Sequence, residues 1–245
     1  MQKNTITTVL VSVVASVVVS SVVALGVAGG KSSESTNMNQ AIENYLMANP
    51  LKIRESLQLA AEQERIEAEK RAAEAFKTNM EELNNDENSP FVGPKDAKVT
   101  IVEFFDFNCG YCKRLAPAMA KVIKANPDVK FVFKPVTFLG SMPVAKAAMA
   151  AHKQGKFLEV YESLLNHKGQ LTADVINEKI KEAGLDVEKT KEIMDSEEVS
   201  SALSKISSLS NKVGIRGVPT LVINGSPLQA FDETQIQKAI DNLKK

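Results

Sequence analysis

The sequence predicts an α/β fold with a helical insertion, preceded by an α-helical N-terminal arm. Three observations carry this. Runs rich in β-branched and aromatic residues at 99–105 and 129–135 flank a helix-patterned stretch, which reads as strand–helix–strand. Residues 142–212 keep a helical period, with breaks near Gly155, Gly169 and Gly184. Residues 41–85 are dominated by Ala, Glu, Gln, Lys and Arg, all strong helix formers.

In chain order, the first segment sets the compartment. No charge appears between Lys3 and Lys31, and residues 8–28 are mostly Val, Ala, Ser and Leu. A basic start, an apolar stretch and small residues at Gly26-Val27-Ala28 fit an export signal cleaved after Ala28. The span also reaches the roughly 20 residues that cross a bilayer, so an uncleaved anchor over residues 6–28 is the alternative. Both readings put the chain outside the cytoplasm, where disulfides form and persist. The expected division is 1–30 as signal or anchor, 31–90 as tether and helical arm, and 91–245 as a catalytic domain.

The tether is the Ser/Thr/Asn-rich stretch 31–40. In the arm, Asn49-Pro50 reads as an N-cap with proline at the first helical position, opening a helix over 51–83. Leu59, Ile66, Ala73 and Met80 recur every seven residues. Phe76 and Leu83 fill the intermediate heptad position late in the helix, whereas Glu62 and Glu69 occupy it earlier. Such a partial seam allows two readings, a charged helix lying on its own catalytic domain or a self-association arm. The second is favoured, because so thin an apolar stripe has little to bury against without another subunit; a homo-oligomer is therefore expected.

A Pro/Gly-containing linker at 86–98 leads into the catalytic domain. Its expected elements are a buried strand at 99–105, a helix at 110–125 ended by Asn126-Pro127-Asp128, and a strand at 129–135. After the helical block come a strand at 220–223, the turn Asn224-Gly225, a short strand at 227–230, and a helix from about Glu233.

The chemistry concentrates at Cys109-Gly110-Tyr111-Cys112, which holds both cysteines of the 245 residues. A strand that delivers C-x-x-C to the first turn of a helix is the sequence form of a redox site. Unpaired N–H groups at a helix start favour a thiolate there, and the thiolate is what attacks disulfides. A structural zinc site needs four ligands, and the remaining candidates, His152 and His167, are distant in sequence, so no metal is expected within the chain. Metal shared between subunits through Cys109 and Cys112 is a third possibility. A purely structural staple closing so short a loop would constrain little chain entropy. The expected prosthetic element is thus a redox-active Cys109–Cys112 disulfide and no separate cofactor. With 30 basic and 30 acidic residues, no charge excess suggests a nucleic-acid partner.

The order of elements is that of a thioredoxin fold with a helical insertion. The run Glu103-Phe104-Phe105-Asp106-Phe107-Asn108-Cys109-Gly110-Tyr111-Cys112, joined to Gly214-Ile215-Arg216-Gly217-Val218-Pro219-Thr220, resembles the DsbA family of thiol–disulfide oxidoreductases. The arm, with Tyr45-Leu46-Met47-Ala48-Asn49-Pro50, is similar to the bacterial Com-type and ScsC subgroup, which carries an N-terminal oligomerisation segment.

The resemblance implies an exposed nucleophile at Cys109, a more buried resolving thiol at Cys112 and a cis-proline at Pro219. It implies that the backbone of Val218 pairs with an extended substrate, with Gly110 and Tyr111 in the same binding surface. Glu103 matches the family's buried acid, placed to take a proton from Cys112. Lys134 is a candidate charge partner for Glu103, and Lys113 a candidate stabilising charge for the thiolate.

Gly-Tyr between the cysteines matches dimeric disulfide isomerases rather than the Pro-His of the best-known oxidases. Val before the proline leans towards the oxidase branch. The implied function is an exported protein disulfide oxidoreductase, periplasmic or in the cell envelope, acting on proteins with thiols or disulfides. A DsbB- or DsbD-like membrane redox partner is implied as well. The competing reading is a surface-exposed structural or adhesion protein with a vestigial redox site.

Overall fold

The computed structural model describes residues 33–245, with side chains described from residue 37. The export segment and the anchor expected over 6–28 lie outside the described residues. Among those described, no helix is long and apolar enough to cross a membrane. The chain divides into two compact units, one up to Ile66 and one from Glu67 onward.

The first unit contains helix α1 (Ser33–Ala48) and the first half of α2 (Pro50–Thr78). Residues 33–40, expected as a tether, belong to α1. Polar Ser, Thr and Asn cost a helix only a few tenths of a kcal/mol each, roughly, and this stretch has neither Gly nor Pro to stop it. Asn49 joins the two helices. Its side-chain amide donates to the Tyr45 carbonyl at 2.8 Å, and its own carbonyl accepts from Lys52 N–H at 3.1 Å. Pro50 opens α2, where a missing N–H leaves nothing unsatisfied. Ile42, Tyr45, Leu46, Leu51, Leu57 and Leu59 are exposed along these helices.

In the second unit, α2 ends at Thr78 and α3 (Met80–Asn85) follows, so the single helix expected to residue 83 is interrupted at Asn79. The Asn79 amide donates to the Ala75 carbonyl at 2.7 Å, the kind of local bond with which Asn competes against the helical ladder. Phe76 and Leu83, on either side of the break, are both buried.

The sheet has five strands, β1 (Phe91–Val92), β2 (Thr100–Phe105), β3 (Lys130–Pro135), β4 (Thr220–Ile223) and β5 (Ser226–Leu228), in the order β1-β3-β2-β4-β5. Only β2 and β3 run parallel; the other pairs are antiparallel. β1 falls in the stretch expected to be a linker. It pairs Phe91 with Val132 and shields the edge of β3. Gly93 then turns with φ +92°, and a Cβ there would lie 2.0 Å from the Val129 carbonyl oxygen. β5 begins one residue earlier than expected, because Asn224 and Gly225 both take positive φ and close a two-residue hairpin that pairs Ser226 with Ile223.

Alternation along β2 and β3 sorts side chains into two cores. Ile101, Phe105, Phe131 and Phe133 join the front cluster, while Val102, Phe104 and Val132 join the back one. Helix α4 (Gly110–Ala125), between β2 and β3, packs Cys112, Leu115, Met119 and Val122 into the front. Five helices separate β3 from β4. They are α5 (Met142–Lys153), α6 (Phe157–Asn166), α7 (Ala173–Glu182), α8 (Val187–Met194) and α9 (Glu197–Lys212). Thr172, Asp186 and Ser196 cap the last three by accepting first-turn N–H groups; the first two caps follow the breaks expected near Gly169 and Gly184, while the break at Ser196 was not among those expected. Helix α6 adds Val160, Tyr161 and Leu164 to the front, as does the closing helix α10 (Glu233–Lys244) with Ile236 and Ile240. The back is covered by α9, Phe76 and Leu83. The architecture is the expected thioredoxin fold, with its helical insertion between β3 and β4.

Candidate active site

Strand β2 leads directly to the N-terminus of α4 through a tied turn. Cys109 is the N-cap of α4; its N–H donates to the Asp106 carbonyl at 3.0 Å and its carbonyl accepts from Lys113 N–H at 3.0 Å. The buried Asp106 carboxylate accepts the N–H of Asn108 at 2.8 Å and of Leu139 at 2.9 Å. The Asn108 amide returns a bond to the Leu139 carbonyl at 3.0 Å. Asp106 thus pins the cysteine turn to the loop after β3. Sequence reasoning gave it no role, although an acid between an apolar strand and a helix start was visible.

Both cysteines are free thiols. Cys112 is fully buried and Cys109 retains 5% exposure. The expectation of an exposed Cys109 therefore needs correcting: what covers it includes the segment 218–219. The Cys109 thiol donates to the Val218 carbonyl at 3.3 Å, and the Val218–Pro219 peptide bond is cis. Cys109, Val218 and Pro219 are thereby brought together from positions far apart in sequence. Gly110 and Tyr111 are exposed at the rim, with the Arg114 guanidinium 4.1 Å over the Tyr111 ring.

Glu103 sits on the central strand β2, 1% exposed, on the front side of the sheet. Its Oε2 accepts a hydrogen bond from the Tyr161 hydroxyl at 2.7 Å. Its Oε1 is buried with no partner. Burial raises the Glu103 carboxyl to about 7, against the opposing pull of the Tyr161 hydrogen bond. Burial also raises the Cys112 thiol; a backbone hydrogen bond from Asp106 works against this, and Cys109 and the Glu103 charge add to it. Tyr161 is held well above the ordinary phenol value by burial, with Glu103 and Cys112 adding to the effect.

Two expected partners lie elsewhere. Lys134 is not beside Glu103. Glu103 is registered with Phe133, so Lys134 points to the opposite face, where it contacts Asp86. Lys113 turns away from the sulfurs and donates to the carbonyls of His167 at 3.2 Å and Gly169 at 3.4 Å. His152 is half-buried with its ring edge against Phe157, and His167 caps the end of α6. Among the described residues, no group of three or more His, Cys, Asp or Glu could hold a metal ion.

Tyr161 went unremarked in the sequence, yet a signal existed. Phe157, Val160, Tyr161, Leu164 and Leu165 form an apolar stripe at helical spacing. A tyrosine in such a stripe needs a buried acceptor for its hydroxyl, and Glu103 on an apolar strand needs a donor.

This arrangement provides one sulfur at a helix start under a strand end, a second sulfur one turn deeper, and a buried carboxyl within electrostatic reach of it. The chemistry available is thiol–disulfide exchange with an internal proton acceptor.

The thioredoxin family model matches residues 85–242. Disulfide bond formation protein D of Bacillus subtilis is 30% identical over 167 residues, covering 62% of this chain and 75% of that protein. The catalytic domain of Proteus mirabilis ScsC is 32% identical, with a TM-score of 0.64, covering 71% of this chain and 99% of that one. A Na(+)/H(+) antiporter NhaA of Salinispora tropica is 28% identical over 137 residues, and this chain spans only 21% of that protein's length. The chain belongs to the thioredoxin family and, within it, to the DsbA- and ScsC-like thiol–disulfide oxidoreductases.

Proposed function

We propose that this protein is an exported enzyme that forms or isomerises disulfide bonds in secreted or envelope proteins through Cys109 and Cys112. The observation that carries the reading is the Cys109 thiol at the start of α4, 3.3 Å from the carbonyl that precedes cis-Pro219, with Cys112 one turn deeper.

In the oxidative direction, a substrate thiolate attacks Cys109 of the Cys109–Cys112 disulfide, and the electron pair of the broken bond leaves on Cys112. A second substrate thiol then displaces Cys109 and closes the substrate's own disulfide. In isomerisation, reduced Cys109 attacks first, and Cys112 releases any substrate that stalls. The bound segment pairs in extended form with the backbone at Val218 while Gly110 and Tyr111 flank it. Glu103 accepts the Cys112 proton. The redox-active disulfide is the only prosthetic element, and a DsbB- or DsbD-like membrane protein resets it.

The exposed apolar residues of α1 and the first half of α2 support a second function for the arm. These residues include Ile42, Tyr45, Leu46, Leu57 and Leu59. Isolated charged helices gain most of their stability from packing, so the arm associates between subunits and holds catalytic units around a shared space, which suits isomerisation.

Insulin reduction and refolding of a scrambled disulfide protein test the chemistry; loss of both in Cys109→Ala is expected, and retention of either removes the assignment. Light scattering on the fragment from Lys31 tests the arm. A monomer at tens of micromolar would reduce it to a spacer.

A further inference from the structure

We propose that Tyr161, on the helical insertion, is a positioning residue that sets the proton affinity of Glu103 and fixes which of its oxygens receives the Cys112 proton. The inference rests on the reading of Cys109 and Cys112 as the exchanging pair. It stands on geometry: one oxygen of a buried carboxyl is held by the Tyr161 hydroxyl at 2.7 Å, and the other is buried and unpartnered. A buried polar atom without a partner is costly in a core that could have satisfied it. A carboxyl held on one side only is set up to take a proton on the other.

The surroundings leave Tyr161 as the neighbour that tunes this group. From α4, Cys112 and Cys109 lie nearby. From α6 come Tyr161 and, acting on it, Glu162. Strands β3 and β4 contribute Phe131, Phe133, Leu221 and Ile223 to this core, α5 contributes Ala147, Ala148 and Ala151, and α10 contributes Ile236 and Ile240. His152, near the end of α5, packs on Phe157. Asp106, at the end of β2, is committed to two backbone N–H groups. The basic side chains of β3, Lys130 and Lys134, face the other side of the sheet, where they donate to Asn85 and Ser89.

With a substrate sulfur joined to Cys109, the Cys112 S–H gives its proton to the free oxygen of ionised Glu103. The Cys112 thiolate pair forms the Cys109–Cys112 bond, the bond from Cys109 to the substrate sulfur breaks, and the substrate leaves as a thiolate that takes a proton from water. The Tyr161 hydrogen bond stabilises ionised Glu103, so it keeps the acceptor available near neutral pH. Tyr161→Phe removes that bond and leaves the carboxyl more often protonated before the step begins.

The test uses the full protein and an aromatic disulfide that releases a coloured thiol. The first release reports attack by Cys109 and the second reports displacement by Cys112. In the wild type, the second release should rise through an inflection near pH 7, following Glu103. In Tyr161→Phe the inflection should move up by about one pH unit, slowing the second release about fivefold near neutrality and sparing it at high pH. Replacing Tyr161 by 3-fluorotyrosine, a more acidic donor, should move it down, which keeps the test decisive if the phenylalanine variant folds poorly.

Glu103→Gln should abolish the inflection, and Tyr161→Phe added to it should shift nothing further. An inflection lost in Glu103→Gln but unmoved in both Tyr161 variants overturns the role of Tyr161 alone. A uniform slowing of Tyr161→Phe at every pH does the same. An inflection that survives Glu103→Gln, or a missing second release in the wild type, overturns the underlying reading of the site as well.

Discussion

The two faces of the sheet treat buried ionisable side chains in opposite ways, as Lys134 on the back and Glu103 on the front show. On the back, Lys134 is fully buried and fully partnered: its ammonium donates to Ser89 Oγ at 2.7 Å, the Glu82 carbonyl at 3.1 Å and Asp86 Oδ2 at 3.3 Å. Burial lowers its affinity for the proton, and the Asp86 carboxylate works against this. On the front, Glu103 is equally buried, with one hydrogen bond and one orphaned oxygen. The back-face group ties the segment 82–89 to β3. The front-face group is left short of partners, and burial, opposed by a single hydrogen bond from Tyr161, raises its carboxyl to about 7.

Breaking the back-face cluster should have the largest effect. Lys134→Ala leaves Asp86 facing an empty pocket and should destabilise the protein by about 3–5 kcal/mol in denaturant unfolding. The pH dependence of thiol exchange should not change in whatever fraction remains folded. A change in that profile would erase the distinction between the faces.

The front face should respond with the opposite sign. Folded Glu103 holds its proton to about 7 rather than 4.5, so stability falls as pH rises through that window and stays lowered above it. Glu103→Gln removes this loss and should stabilise the protein by roughly 3 kcal/mol above pH 7, with no gain near pH 4. Equal stability of the two proteins at all pH values would mean that Glu103 is better satisfied than its geometry indicates. The smallest effect should come from Ser89→Ala, which removes one of three Lys134 partners and should cost about 1–2 kcal/mol.

The same contrast explains what could be read from sequence. The fold was legible because β-branched and aromatic runs, helical period and glycine breaks are local signals. Cys109, Cys112 and Pro219 were legible as motif positions. The partners of the buried charges were not, because they depend on register and on long-range docking. Strand adjacency made Lys134 a candidate partner for Glu103, yet one residue of register sends it to the other face. Asp86 and Ser89 lay in a stretch read as linker, and Tyr161 in a helix read only for its period. The break at Asn79 was hidden because Thr78-Asn79 continues an otherwise strong helical pattern. The near-complete burial of Cys109 depends on the segment 218–219, more than a hundred residues away along the chain.

Under the proposed function, Cys109 is the attacking sulfur and Cys112 the one that releases it. Trapping tests this most directly. Cys112→Ala, expressed in cells that export the protein, should accumulate disulfide-linked adducts with client proteins. Non-reducing gels and mass spectrometry should map every such linkage to Cys109, and the adducts should vanish on reduction and in the Cys109→Ala variant. Adducts that persist in Cys109→Ala, carried by Cys112, would contradict the assignment.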